Sequence, residues 1–311
     1  MTVLVVGDAN VDMEIRLPPN SGPKAHANPP PRLLGGGSAA NTAAALARLG
    51  VVCRFAGTVG DDVYGRFAVA SLEEAGVDTG AVRATAESPT VTVITVVQPG
   101  GDRLIYVWPP TGGAHGALLP ATAVEAVAGA EWLHVSGICL RLAPSRDAVL
   151  AAMERARAEG VPVSFDLNLR LENWGWEEGF RGVVEAAIEH SDVVLGGAVD
   201  EVAALAGIDD TAQAAMALAG DGRLVIARLG ADGAVACSDA GVVAVPGFAV
   251  GVFDTVGAGD AFNAGLIAAR LQGADMAESL RWANAVAALT VTQPGARSTP
   301  TPVEMETLLA E

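Results

Sequence analysis

Asp254-Thr255-Val256-Gly257-Ala258-Gly259-Asp260 is the stretch on which the reading of this chain turns. Two glycines stand two apart and an acid follows at once. From there Ala261, Phe262, Gly265, Leu266, Ala269 and Leu271 recur at helical spacing until Gly273 ends the run. Gly257, Ala258 and Gly259 are therefore expected at a helix N-terminus. Backbone N–H groups there lack intrahelical partners, and the helix dipole adds partial positive charge. Glycine lets a phosphate approach such a backbone closely. Asp260 is the odd member, since a carboxylate repels phosphate; its presence makes sense if it takes a proton from a hydroxyl that attacks the phosphate. Read alone, the same letters also suit a glycine-rich turn with Asp260 as a helix cap.

Working outward, composition narrows the choice. The chain has 311 residues, enough for one large α/β domain or two smaller ones. Charges interrupt every long apolar stretch, so no segment is expected to span a bilayer. The N-terminus begins directly with Val3-Leu4-Val5-Val6, a buried-strand pattern without the basic start and cleavage site of a signal peptide. Cys53, Cys139 and Cys237 are widely spaced, with no disulfide framework or zinc pattern, which suggests a reducing cytoplasm. A net charge of −17 argues against nucleic acid as a partner. Lys24 is the single lysine and lies beside Pro23, so neither a GxxxxGK[ST] loop nor a VAIK lysine exists. Phosphate chemistry here must rest on backbone amides, arginine or a metal.

Strand-like runs at Val3–Val6, Val51–Ala56, Trp132–Val135, Val161–Phe165, Val193–Leu195, Leu224–Ala227 and Ala234–Cys237 alternate with helical patterns. The helices are predicted at 38–49, 64–75, 145–159, 178–190, 211–219, 260–272 and 276–291. Such alternation predicts an α/β fold with a central, mainly parallel sheet and helices on both faces. Ligands then bind beyond the C-terminal strand ends. Residues 1–311 are expected to form a single domain. Thr90–Val97 and Arg103–Trp108 read as a hairpin around Gln98–Asp102, and Pro18–Pro31 carries six prolines and no helix signal. Segments 12–34 and 88–110 are expected to form a small β lid that excludes water from the site.

Two further constellations bear on function. Gly35-Gly36-Gly37-Ser38-Ala39-Ala40-Asn41-Thr42 opens a helix, with Ser38 suited to the N-cap and Asn41 able to donate and accept hydrogen bonds. A capped helix after a flexible loop would show the same pattern. Asn10 and Asp12, after the first strand, fall on one face of an extended chain and suit sugar hydroxyls. His134, in an apolar strand, reads as a satisfied core residue.

Taken together, these motifs resemble the ribokinase-like (PfkB) carbohydrate kinases over essentially the whole chain. Asp254–Asp260 is similar to that family's C-terminal signature, and Gly36–Asn41 with Leu49-Gly50 to its N-terminal one. Asn10-Val11-Asp12, Leu229–Gly233 and Thr292–Pro300 follow in the expected order. The resemblance implies Asp260 as catalytic base and Gly257, Ala258 and Gly259 as anion hole. It implies Asn10, Asp12, Gly36, Gly37 and Asn41 as sugar ligands, and Leu229, Gly230, Asp232, Gly233, Thr255 and Asn284 near ATP. It places Glu201 toward Mg²⁺, and Asp254, Val256 and Ser298 toward a K⁺ ion.

Two departures stand out. Ala198 occupies the place of the asparagine in the family's NxxE motif, which weakens the metal–water network. Phe165-Asp166-Leu167-Asn168-Leu169-Arg170 is similar to the FDxNxR of fructokinases and 2-keto-3-deoxygluconate kinases, so Arg170 would meet a carboxylate or keto oxygen. Trp108, however, stands where many of those enzymes have arginine, and could offer an apolar wall instead. The expected activity is ATP-dependent phosphorylation of a hydroxyl, primary by preference, on a small sugar such as ribose, fructose or a 2-keto-3-deoxy sugar acid. A nucleoside kinase of the same fold and a non-catalytic sugar or nucleotide sensor are the rival readings. The lid is also a candidate surface for pairing two copies of the chain.

Overall fold

The computed structural model describes residues 1–18, 30–100, 102–171, 175–176 and 178–310. Most of the proline-rich segment, including Lys24, lies outside them. Among the described residues a nine-stranded sheet runs in the order β13-β12-β11-β10-β9-β8-β1-β4-β5. Its strands are β1 (Thr2–Val6), β4 (Val52–Gly60), β5 (Asp78–Thr85), β8 (Trp132–Ser136), β9 (Val163–Asp166), β10 (Val193–Gly197), β11 (Leu224–Arg228), β12 (Ala234–Ser238) and β13 (Gly241–Val245). All neighbours pair in parallel except at the β11-β12-β13 edge. β1 is an interior strand, apolar and buried from Val3 to Val6 because helices cover both faces. Val3 and Val5 enter one core layer and Leu4 and Val6 the other, as strand alternation requires.

The helices are α1 (Ser38–Arg48), α2 (Val63–Glu74), α3 (Pro120–Val127), α4 (Ser145–Ala158), α5 (Glu178–Glu189), α6 (Thr211–Leu218), α7 (Ala258–Leu271), α8 (Met276–Thr290) and α9 (Pro302–Leu309). Their starts follow local chemistry. Asp62, Asp210 and Asp275 each accept a backbone N–H from the first turn, and Thr301 with Glu304 closes a capping box. Helices α1 and α7 pack face to face, and both are rich in small residues. At Gly265 a Cβ would come within 3.0 Å of Ala283 Cα, so only glycine lets α7 and α8 approach this closely.

A second sheet, ordered β3-β2-β6-β7, stands over the C-terminal ends of the main strands. It consists of β2 (Asn10–Arg16), β3 (Arg32–Gly36), β6 (Thr92–Val97) and β7 (Arg103–Trp108). The expected hairpin is β6-β7, in antiparallel register from Thr92↔Trp108 to Val97↔Arg103. β2 leaves β1 after three residues, which carries Asn10 and Asp12 from the main sheet straight into the lid. The lid's root is tied down at Thr90, whose N–H and hydroxyl donate to Asp62 while Oγ1 accepts from Gly60 N.

Candidate active site

α7 starts at Ala258, after Gly257 in the left-handed region at φ 81°. A Cβ on Gly257 would lie 2.5 Å from the Ala296 carbonyl, so glycine is required by both torsion and space. The N–H groups of Gly259 and Asp260 lie in the first turn and have no intrahelical acceptor. The 254–257 loop is braced by the Asp254 carboxylate, which accepts from Val256 N at 3.3 Å and Gly295 N at 3.4 Å. Arg103 of lid strand β7 reaches the same carboxylate at 3.3 Å, and Arg16 of β2 lies over the Phe253 ring. The second sheet and the loop before α7 thus touch at two points.

Asp260 does not cap its helix. Its Oδ1 accepts from Ser38 Oγ at 2.7 Å and its Oδ2 from Asn41 Nδ2 at 2.9 Å. Burial, reinforced by the nearby Asp166 carboxylate, pushes its carboxyl up to about 7, while the bonds from Asn41 and Ser38 oppose that rise. A carboxylate poised near neutrality suits general-base work. Here the expected N-cap role of Ser38 fails. Gly37 is the N-cap, and the Asp8 carboxylate accepts from the N–H groups of Ser38 and Ala39. Asp8, at the end of β1, caps α1 from outside and frees the Ser38 hydroxyl for Asp260.

Two cavities meet at Asp260. The first, about 440 Å³, lies between lid and sheet and is lined by Asn10, Asp12, Gly37, Asn41, Arg103, Arg170, Gly257 and Asp260 among others. Asn10 Oδ1 is buried there without a protein hydrogen-bond partner, an acceptor open to a ligand. Burial raises the Asp12 carboxyl to about 6, with Arg297 opposing and Asp8 and Asp254 adding to the rise. The three glycines each leave room for a neighbour: a Cβ on Gly35 would overlap the Arg297 guanidinium. One on Gly36 would lie 2.7 Å from Asp12 Oδ1, and one on Gly37 2.5 Å from Asn10 Oδ1. Trp108 lies apart from this cavity. Ile105 and Val107 line it, whereas Trp108, opposite on alternating β7, is 60% exposed and not among its lining residues.

The second cavity, about 450 Å³, is lined by Asp166, Asn168, Arg170, Glu201, Arg228, Thr255 and residues Val256–Asp260. Arg228, at the end of β11, donates to Asp166 Oδ1 at 2.8 Å and Asn263 Oδ1 at 2.8 Å and lies 3.6 Å from Glu201 Oε2. Glu201 accepts from Leu169 N and Gly197 N, and burial raises its carboxyl. It sits on a π-helical turn, Ala198–Ala203, whose first residue offers only a methyl group. Leu229, Gly230, Asp232 and Gly233 form a tight turn between β11 and β12. The Asn284 amide donates to the carbonyls of Val245 and Pro246, and Ser298 Oγ donates to Pro294 O.

Sequence reasoning did not single out Arg228, Arg297 or Asp8. A charge ending the apolar run Leu224-Val225-Ile226-Ala227-Arg228 was a usable signal for the first. Arg297 donates to Asn41 Oδ1, Ser71 Oγ and Gly36 O, partners between 226 and 261 residues away, which no local pattern reveals. His134 is buried in the core as expected, but it is only half satisfied: Nδ1 bonds Ser164 Oγ, while Nε2 has no hydrogen-bond partner.

Comparison with known proteins converges with this geometry. Residues 2–303 match the model of the pfkB family carbohydrate kinases. The chain is 35% identical to an ATP-dependent ribose-1-phosphate kinase of Halopiger xanaduensis, covering 99% of this chain and 98% of that protein. It is 34% identical to a fructokinase of Vibrio alginolyticus, over 87% of this chain and 90% of the relative. Among solved structures, a putative ribokinase II of E. coli in complex with ATP and Mg²⁺ superposes with a TM-score of 0.85 at 26% identity, covering 99% of each chain. The match of fold, motif order and full-length family model leads to one conclusion: the chain belongs to the pfkB family of carbohydrate kinases.

Proposed function

We propose that this carbohydrate kinase transfers the γ-phosphate of ATP to a hydroxyl, primary by preference, of a small sugar held in the lid cavity, with Asp260 as base. The observation that carries the reading is the position of Asp260 where the two cavities join, held by Ser38 and Asn41. Asn10, Asp12 and Asn41 would take sugar hydroxyls. The first-turn N–H groups after Gly257 would stabilise the transferring phosphoryl group. The turn Leu229–Gly233 would lie along the nucleotide.

Magnesium fits the second cavity. Among the described residues no three candidate ligands form a metal cluster. Mg²⁺ typically keeps several waters and binds through one or two carboxylates plus substrate phosphates. Glu201 and Asp166 supply such carboxylates, and the ion would neutralise phosphate charge. A K⁺ ion would suit the carbonyls of Asp254 and Val256 beside Ser298; equal rates in K⁺, Na⁺ and a bulky organic cation at fixed ionic strength would remove it from the reading.

Arg170 lines both cavities, which favours a sugar bearing a carboxylate, keto or phosphate group. β7 is an edge strand with exposed Leu104, Tyr106 and Trp108, and we infer pairing with a second copy there. Three buried free cysteines suit a reducing cytoplasm, and no helix among the described residues is long and apolar enough to cross a membrane. The deciding experiment is a coupled ADP-release screen over pentoses, hexoses, keto-deoxy acids, sugar phosphates and nucleosides. Release with no acceptor in that set, or unchanged turnover in Asp260→Asn, would refute the reading.

A further inference from the structure

The Asn41 amide is clamped between a group that can only donate and one that can only accept. Arg297 Nε donates to Asn41 Oδ1 at 3.1 Å, and Asn41 Nδ2 donates to Asp260 Oδ2 at 2.9 Å. A guanidinium has no acceptor, and an ionised carboxylate has no donor. Only one orientation of the amide satisfies both. The other two arms of Arg297 are also spoken for, by Ser71 Oγ at 2.8 Å on α2 and Gly36 O at 3.0 Å on β3. The guanidinium is thus fixed from three elements. Its position beside the vacant Cβ space of Gly35 requires glycine there.

We propose that Arg297 is a positioning residue for the phosphoryl-transfer step: by locking the Asn41 amide it keeps an N–H, never a carbonyl, against Asp260. The inference rests on Asp260 being the base. Its physical content concerns the proton. With the amide free to turn, its carbonyl would accept a hydrogen bond from protonated Asp260 and stabilise the wrong form. With the amide locked, that form gains nothing from Asn41. Asp260 stays an acceptor aimed at the attacking hydroxyl despite a burial that favours protonation. Arg297 also contributes positive charge against Asp260, Asp8 and Asp12. Arg228 and Asp166 act on the same carboxylate from β11 and β9. Arg297 itself is absent from the sugar cavity lining and borders an outer cleft of about 400 Å³ with Phe67, Ser71 and Glu74. It therefore acts through Asn41 and not by touching the sugar.

The test is the pH dependence of single-turnover phosphoryl transfer at saturating sugar and ATP, which separates Asp260 from Asp12, whose proton uptake is felt in sugar affinity. In Arg297→Met the acidic limb is expected to move up by about one pH unit, the scale for losing a neighbouring opposite charge and a favourable hydrogen bond. The rate should recover toward wild type at high pH. Arg297→Lys keeps the charge without the fork, and its limb should fall between the two. Should the methionine variant fail to fold, the lysine variant carries the comparison. A wild-type limb left in place by both variants, with rates lowered equally at every pH, would make Arg297 a mere brace and overturn the proposal. A wild type with no acidic limb would instead overturn the base assignment on which it rests.

Discussion

Lowering the pH should reveal two carboxylates in sequence. Asp260 is raised to about 7 and Asp12 to about 6, both chiefly by burial. On the proposed assignment each must be ionised, the first to accept a proton and the second to receive sugar hydroxyls. Between pH 8 and pH 6 the ionised fraction of Asp260 falls about tenfold and that of Asp12 about twofold, so kcat/KM for the sugar should fall roughly twentyfold. Carboxylates at their ordinary values would leave the profile flat over that interval. The assay is initial-rate ADP release across pH 5 to 9 at saturating ATP. Asp12→Asn should remove the lower ionisation and leave the upper. Stability supplies an independent arm. An acid raised on folding binds protons that the unfolded chain has already lost, so native stability falls as pH rises from about 4 to 7. Asp260→Asn should therefore melt at a higher temperature than wild type at pH 8, with the gap closing toward pH 4. A flat kcat/KM profile together with an unchanged melting temperature in Asp260→Asn would refute the electrostatic account of the base.

Three further outcomes are expected. Gly257→Val should lower turnover by at least about a hundredfold, the scale for losing an anion-hole donor, because its side chain would collide with the Ala296 carbonyl. A folded variant with normal kcat would show that the loop does not meet phosphate. Asp12→Ala should weaken every accepted sugar by about 1–3 kcal/mol, read as roughly tenfold or more in KM. An unaffected KM would move the sugar elsewhere. Trp108→Ala should leave kcat/KM nearly unchanged and weaken self-association in sedimentation velocity, since the indole is exposed on the outer face of β7. A selective loss of one substrate with an unchanged sedimentation profile would return Trp108 to the pocket.

Seven of the nine main-sheet strands were legible because they are continuous apolar runs bounded by turns, and every such predicted run is a strand in the structure; β5 and β13 at the sheet's two edges were not. What the sequence hid has physical causes. β2 (Asn-Val-Asp-Met-Glu-Ile-Arg) and β5 are half-exposed, with polar residues where the pattern would need apolar ones. β4 runs past Gly57 to Gly60, beyond the apolar run that ends at Ala56; a Cβ on Gly57 would meet the Gly7 carbonyl at 2.6 Å. Short α3 and α9 each begin at a proline, a letter that more often marks a loop. At the site, Asp260, Asn41, Asn10 and Asp12 were visible as motif letters. Ser38 carries the letter of a cap, but the true capping acid, Asp8, comes from the loop between β1 and β2. Contacts across two hundred residues have no local signature.

The charge layout resolves an apparent conflict between an acidic chain and a polyphosphate substrate. The two cavities carry Asp8, Asp12, Asp166, Glu201, Asp254 and Asp260, in a protein of net charge −17 with one lysine. Three arginines answer them locally: Arg103 meets Asp254, Arg228 meets Asp166 and Glu201, and Arg297 faces Asp12 and Asp260. Each is therefore spent on organising acids and is not a free counterion for ATP. Apart from Arg170, which lines both cavities, the attraction comes from backbone N–H dipoles at the start of α7, which carry no net charge and need no side chain. That division explains why glycine stands at Gly257 and Gly259 and why lysine is dispensable. It also explains how the proposed base would sit beside the proposed anion hole: a dipolar site would draw phosphate in without forming an ion pair with Asp260, and the carboxylate would stay available for the hydroxyl proton.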